Sequence, residues 1–306
     1  LKTIANLIGK LIEKAIEKKR SKRVGRNEDL SVAMNVVRHY LLAVQFFTRV
    51  PVTGRLAAWV GYSPEMLRKS AAHFPGVGWL VGLLAAWLYA GLSWALPAAA
   101  QASLVAAVLV TVFTVLLTGA FHEDGLADLA DGLGGSLDRE RALDIMKDSR
   151  VGSFGALALV LALLSKVALL ALLGAANPAL ACGALFFAHV YSRCLPLGLI
   201  RLLPHVGDTA RSKSKPLADQ ISLPGLLVAA LWTLAAAVLS WLWWPELCFW
   251  LGGAIAGLLA WLWMWRLLTR RLQGYTGDGL GATQQVCEIA CYLGLAVSLN
   301  LCIKLS

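Results

Sequence analysis

The sequence predicts an all-α fold, a polytopic integral membrane helical bundle. Three observations carry this. Apolar runs reach membrane-spanning length, charge is scarce, and the charge present is confined to alternate linkers. Of 306 residues, 58% are hydrophobic and 15% are charged, where a soluble domain carries roughly 25% charged residues. The mean hydropathy is +0.67. A helix needs ~20 apolar residues to cross a bilayer core. Seven segments approach that length: 75–96, 100–121, 152–174, 179–202, 223–243, 246–266 and 284–303. The expected architecture is therefore about seven transmembrane helices plus an interfacial or re-entrant N-terminal helix.

Residues 1–33 differ from the rest. Ile4, Leu7, Ile8, Leu11, Ile12 and Ile16 fall at helical spacing, and the basic stretch Lys18 to Arg23 follows. This pattern suits a helix lying on an anionic membrane face, or an extension fused ahead of a unit that starts at Met34. The division expected is thus 1–33, an amphipathic basic extension, and 34–306, a membrane-embedded catalytic domain. Residues 36–51 read as a short apolar helix ending at Pro51, and 56–73 as a mixed polar stretch with Arg68, Lys69 and His73.

The linkers sort by charge. Residues 97–101 and 174–178 carry none, and the turn at Pro245 carries only Glu246. The opposite set holds Arg139, Arg141, Lys147 and Arg150, then Arg201, Arg211, Lys213 and Lys215, then Arg266, Arg270 and Arg271. The positive-inside rule places this second set in the cytoplasm and the C-terminus outside. All linkers with chemical potential then share one face, as suits an enzyme of the cytoplasmic (inner) membrane acting on cytosolic substrates. A transporter with a cation site is the alternative of a different class, and no internal repeat supports it. The formal net charge of +10 fits anionic lipid head groups rather than nucleic acid. The six cysteines form no CxxC pair, so they read as small buried hydrophobes rather than zinc ligands.

Chemistry concentrates in three places. Asp124, Asp128 and Asp131 sit at i, i+4 and i+7, on one face of a helix. Three carboxylates in one stripe repel each other unless a cation sits between them. Mg²⁺, held by carboxylates and substrate phosphate oxygens, is the natural candidate. A solvated acidic helix end is the simpler reading. Gly125 and Gly132 would let a ligand approach the backbone. His122 beside the stripe is a base, a metal neighbour or a spacer. The second place is Asp144, Asp148, Ser149 and Arg150, where Arg150 could clamp phosphate. The third is Gly274 to Ala282, a Gly-rich turn opening the last span, which offers N–H groups to phosphate or merely shapes a loop. Lys166 and Arg193 stand inside apolar spans and read as lining a cavity beneath the cytosolic site, with Glu288 as a candidate counter-charge. Carboxylate-held metal, basic side chains and a Gly-rich helix start are parts for phosphoryl transfer. No Walker A sequence and no Ser/His/Asp nucleophile elbow occur. A CDP-alcohol-type membrane phosphotransferase is the runner-up enzyme, but its Asp-Gly-x-x-Ala-Arg spacing is absent.

The stretch Phe121-His122-Glu123-Asp124-Gly125-Leu126-Ala127-Asp128…Asp131-Gly132 resembles the hallmark of the adenosylcobinamide-GDP ribazoletransferase (cobalamin synthase) family. The resemblance continues through Leu41 to Val52, Phe74 to Gly78, Met146 to Gly152, Lys166, Ser192-Arg193 and Thr276 to Ala282. These blocks come in the family order and cover about residue 34 to the end. The resemblance implies an enzyme joining α-ribazole, or its 5′-phosphate, to adenosylcobinamide-GDP, with Mg²⁺ as cofactor and GMP as the second product. Asp124, Asp128 and Asp131 fall on the family's acidic motif and are the expected metal and catalytic residues, together with His122. Asp148, Ser149, Arg150, Lys166, Arg193, Thr276, Gly277 and Asp278 are the expected substrate contacts. Membrane lipids are expected neighbours. Self-association, and association with other membrane enzymes of the cobamide pathway, are both left open.

Starting the protein at Met34 is expected to preserve specific activity in detergent, because the spans anchor the chain far more strongly than an interfacial helix. A folded but inactive truncated protein would place the extension in the active site or in assembly.

Overall fold

A computed structural model describes residues 34–207 and 220–305. The amphipathic segment 1–33 and the basic residues Arg211, Lys213 and Lys215 lie outside the described residues. Helix α1 spans 34–47. It is followed by α2 (Gly54–Val60), α3 (Pro64–Ser70), a 3₁₀ turn (Ala71–His73), α4 (Phe74–Ala95), α5 (Ala102–Thr118), α6 (Phe121–Gly135) and α7 (Arg139–Met146). Then come α8 (Ser153–Ala176), α9 (Pro178–Leu202), α10 (Leu223–Trp243), α11 (Leu247–Arg271) and α12 (Gly277–Leu305). Among the described residues the nearest thing to a strand is a single parallel bridge between His205 and Tyr275.

All seven segments read as spans are helices, but fewer than seven are span-like on their own. Five stretches are long and apolar enough: Pro64–Ala95, α8, α9, α10 and α11. A sixth arises only if α5 and α6 are taken together as a broken span, bent by 89°. Two physical reasons account for the difference. The chain turns sharply after α5, where Gly119 (φ 67°) and Ala120 (φ 57°) are both left-handed. Arg49 packs into this turn, its backbone N–H donating to the Leu117 carbonyl at 2.7 Å. Helix α6 therefore lies across the end of the bundle, outside the spanning segments. Helix α12 in turn carries Gln284, Gln285 and Glu288, all buried, so its polarity faces protein and lowers its mean hydropathy.

Helices α9 and α12 form the centre. In α9, 78% of the apolar window is buried, against 17% in α8 and in α10, whose surfaces are left for lipid. Close approach is arranged by glycine, as usual where helices pack without a hydrophobic driving force. On α4, a Cβ at Gly78 would lie 2.4 Å from the His189 carbonyl of α9, and one at Gly82 would lie 3.0 Å from the Phe186 Cα. Between α11 and α12, a Cβ at Gly294 would lie 2.2 Å from the Gly252 carbonyl. The cysteines depart partly from expectation. Cys182, Cys194, Cys287 and Cys291 are free, the last two buried, but Cys248 is disulfide-bonded.

Two alanine substitutions in α4 separate these roles. Gly78→Ala is expected to destabilise by ~1–3 kcal/mol, because backbone rather than a movable side chain blocks the methyl. Gly91→Ala, where nothing lies within 4 Å of the added atom, is expected to be neutral or slightly stabilising, since alanine is the better helix former. Thermal unfolding in detergent reads both.

Candidate active site

The acidic stripe forms as a helix face, yet its three carboxylates meet three environments. Asp124 is exposed, Asp128 half-buried and Asp131 buried. Asp131 turns to the N-terminus of α8, where its carboxylate accepts from the N–H of Gly152 at 2.7 Å and of Gly155 at 2.8 Å. Both glycines are required there, since a Cβ on either would lie within 2.4 Å of an Asp131 carboxylate oxygen. Asp131 is thus a helix cap supplied from 21 residues away, satisfying amides that α8 leaves open.

The third carboxylate facing Asp124 and Asp128 is Asp278, at the start of α12. Gly125 makes this possible: a Cβ there would lie 2.9 Å from the Asp278 carbonyl and 3.0 Å from its Cα. Gly125 therefore admits a helix rather than a ligand. Gly132 likewise admits α7, with the Ala142 carbonyl 2.8 Å from a virtual Cβ. Burial, then the charges of Asp278, Asp124 and Asp131, push the Asp128 carboxyl up to about 7. Burial and Asp124 push Asp278 up to about 6. Such mutual repulsion is what a bound cation relieves. Among the described residues no group of three or more His, Cys, Asp or Glu side chains is arranged to hold one ion. The donor set fits Mg²⁺ in its usual mode, one or two carboxylates with the remaining positions left to substrate phosphate and water.

The Gly-rich turn is fixed by its own bonds. The Tyr275 N–H donates to the Pro204 carbonyl at 3.0 Å, and the Val206 N–H to the Tyr275 carbonyl at 2.9 Å. The Thr276 hydroxyl accepts from the Gly279 N–H at 3.0 Å, capping α12. Thr276 is buried in that role, while Gly277 and Asp278 remain partly exposed beside it.

Lys166 and Arg193 do not line an open cavity. They are packed into a polar knot in the bundle. Lys166 Nζ lies 2.6 Å from Glu288 Oε1, with both side chains essentially sealed from solvent. Glu288 also accepts from Gln284 Nε2 at 2.6 Å and from the Tyr292 hydroxyl at 3.2 Å. Gln284 Nε2 also donates to Ser192 Oγ at 2.9 Å. Arg193 donates to the His189 carbonyl at 2.9 Å and covers the Phe74 ring. Gln285 Nε2 donates to Glu123 Oε1 at 3.0 Å, tying the knot to α6. Two cations and two carboxylates balance within it. Glu288 as the counter-charge of Lys166 was legible in the sequence. Ser192 and Glu123 appeared only within the family blocks, with no role given, and His189, Gln284, Gln285 and Tyr292 were missed, although polar residues inside apolar spans were the available signal.

His122 points away from the stripe. It is stacked parallel to Phe74 at 5.6 Å and to Phe47 at 6.3 Å, and neither ring nitrogen has a hydrogen-bond partner. Asp148, Ser149 and Arg150 lie on the loop before α8. With Asp131 and Ser153, Asp148 and Arg150 line an open cleft of about 580 Å³. There Arg150, itself exposed, pairs with Asp148 through Nε at 3.0 Å, and this bond holds the Asp148 carboxyl down at about 2.

Because Asp128 and Asp131 differ in role, they are expected to differ in stability when metal is chelated. A carboxyl whose acidity is weakened by folding destabilises the fold above its unfolded value, so at pH 8 Asp128→Ala is expected to be neutral or stabilising. Asp131→Ala leaves two amides unpaired and is expected to cost ~1–3 kcal/mol. Unfolding midpoints in EDTA test the pair; equal losses would contradict the division.

A family model described as cobalamin-5-phosphate synthase matches residues 39–296. Among curated relatives, the adenosylcobinamide-GDP ribazoletransferase of Polaromonas sp. (strain JS666 / ATCC BAA-500) is 63% identical over 276 residues, covering 86% of this chain and 98% of the relative. That of Albidiferax ferrireducens is 62% identical, covering 86% and 99%. That of Vibrio cholerae is 43% identical, covering 85% and 94%. No solved structure matches. The conclusion is that the chain belongs to the cobalamin-5-phosphate synthase family.

Proposed function

We propose that this chain is an adenosylcobinamide-GDP ribazoletransferase, which joins α-ribazole or its 5′-phosphate to adenosylcobinamide-GDP and releases GMP. The observation that carries the chemistry is the convergence of Asp124 and Asp128 on α6 with Asp278 on α12. The α-ribazole hydroxyl attacks the phosphorus nearest the cobinamide. A new phosphodiester P–O bond forms, and the P–O bond to GMP breaks. Mg²⁺, when bound, would neutralise the diphosphate and stabilise the departing phosphate. One or two of Asp124, Asp128 and Asp278 would hold it, and the carboxylate left free of the ion takes the hydroxyl proton. Arg150, on an open loop, is placed to exchange Asp148 for a substrate phosphate, to which a guanidinium binds in bidentate fashion. Lys166 and Arg193 act at a distance, by fixing α6 against α12. His122, sealed among Phe47, Phe74 and Phe121, supports the same packing.

The site faces the cytosol of a bacterial inner membrane in this reading. The basic linkers and the acidic helix share one end of the bundle. Cys248 lies at the start of α11, the opposite end, and disulfides persist in oxidising compartments such as the periplasm.

Purified protein is expected to release GMP from adenosylcobinamide-GDP only when α-ribazole or its 5′-phosphate and Mg²⁺ are both present. Asp124→Asn and Asp128→Asn are each expected to lower turnover by roughly 10²–10³, the cost of losing a positioned charge stabiliser. Near-normal turnover in either variant at saturating Mg²⁺ would remove the acidic cluster from the mechanism.

A further inference from the structure

At the same end of the bundle as the acidic helix, a second cleft of about 600 Å³ opens between α1, α3, the end of α9 and the start of α10. Arg68, Lys69 and Arg201 stand around it, with Glu65 as the acidic residue among its lining side chains. Lys69 is engaged with Glu65 at 2.7 Å. Among the described residues neither Arg68 nor Arg201 has an ion-pair partner, and Arg68 and Arg201 are both exposed. Among the described residues these two positive charges are therefore uncompensated.

The floor is built rather than incidental. His73 is 4% exposed and lines the cleft. Its Nδ1 accepts from Trp232 Nε1 at 3.2 Å, which leaves the ring proton on Nε2 as a donor. Trp232 is held in turn by stacking on Tyr40 at 5.7 Å. His39 completes the wall, 6.4 Å from His73. The N-terminus of α10 borders the same space, with Ser222 as its cap, and adds the positive end of a helix dipole.

We propose that this cleft recognises a phosphomonoester dianion, and that its ligand in the reaction above is the 5′-phosphate of α-ribazole 5′-phosphate. This rests on the proposed ribazole transfer. A phosphomonoester carries about −1.5 to −2 at pH 7, which the free charges of Arg68 and Arg201 match. The diphosphate of adenosylcobinamide-GDP belongs at the acidic cluster, where a cation would bridge it. The basic cleft thus separates the two phosphate-bearing substrates, and Arg68 and Arg201 are specificity residues rather than catalytic ones.

Equilibrium dialysis of the full chain, with α-ribazole and α-ribazole 5′-phosphate as separate probes, tests this without turnover. In Arg68→Gln/Arg201→Gln the dissociation constant for α-ribazole 5′-phosphate is expected to rise about tenfold or more, given the strength of charge-assisted bonds, while that for α-ribazole is unchanged. Binding of α-ribazole also reports that the variant is folded. Equal changes for both probes, or no change for either, would overturn the proposal. So would a variant that keeps its α-ribazole 5′-phosphate affinity but no longer responds to phosphatidylglycerol in place of phosphatidylcholine nanodiscs, since the cleft would then serve lipid. Wild-type protein that binds the phosphorylated probe selectively yet never releases GMP would contradict the proposed reaction while leaving the cleft's assignment standing.

Discussion

The Lys166–Glu288 ion pair is the constraint on which the rest of the structure depends. Both groups are buried in the bundle, where an uncompensated charge is costly, and removing one partner of such a pair typically costs 3–5 kcal/mol. The pair ties α8 to α12 at 2.6 Å. Gln284 and Gln285 extend it to Ser192 on α9 and to Glu123 on α6. A sealed polar network of this kind has few alternative arrangements, because a shift would break the Lys166–Glu288 ion pair and the Gln284 and Gln285 hydrogen bonds with no water to replace them. It therefore fixes the rotation of α6 and α12 about their axes. Glu123 faces the knot, so its neighbour Asp124 faces outward. The same registration brings Asp278 to Gly125.

The acidic helix then divides its labour by depth. Asp131, farthest inside, spends its charge on the amides that open α8. Asp124 is exposed and Asp128 half-buried, so in the proposed reaction their charge is left for a bound cation, and Asp278 adds to the negative potential there. The 89° bend between α5 and α6 is the geometric condition for this arrangement. Had α6 continued α5, the stripe would have been carried away from the end of the bundle and from α12.

Much of this was legible in the sequence, and the failures have physical causes. The seven long helices follow from apolar runs, and the acidic face of α6 follows from its i, i+4, i+7 spacing. The spacing does not reveal that Asp131 faces Gly152 and Gly155, because that contact depends on the path of α7. The Gly-x-x-Gly spacing at 152–155 was a usable hint. Gly125 and Gly132 were read as room for a ligand, but close helix contacts use glycine for the same steric reason. The span count fell short of seven because hydropathy averages over a helix, while α12 turns its polar residues toward protein. Asp278 was singled out in a Gly-rich turn; only tertiary packing makes it part of the acidic cluster.

Mn²⁺ binding by the full chain, followed by EPR in detergent, tests most directly whether depth along α6 sets the role of each carboxylate. Asp278→Asn is expected to weaken binding about tenfold or more, as for loss of a charged ligand, and Asp131→Asn to leave it near the wild-type value. Loss of Mn²⁺ binding in Asp131→Asn with retention in Asp278→Asn would contradict this division and return the metal site to the stripe of α6 alone.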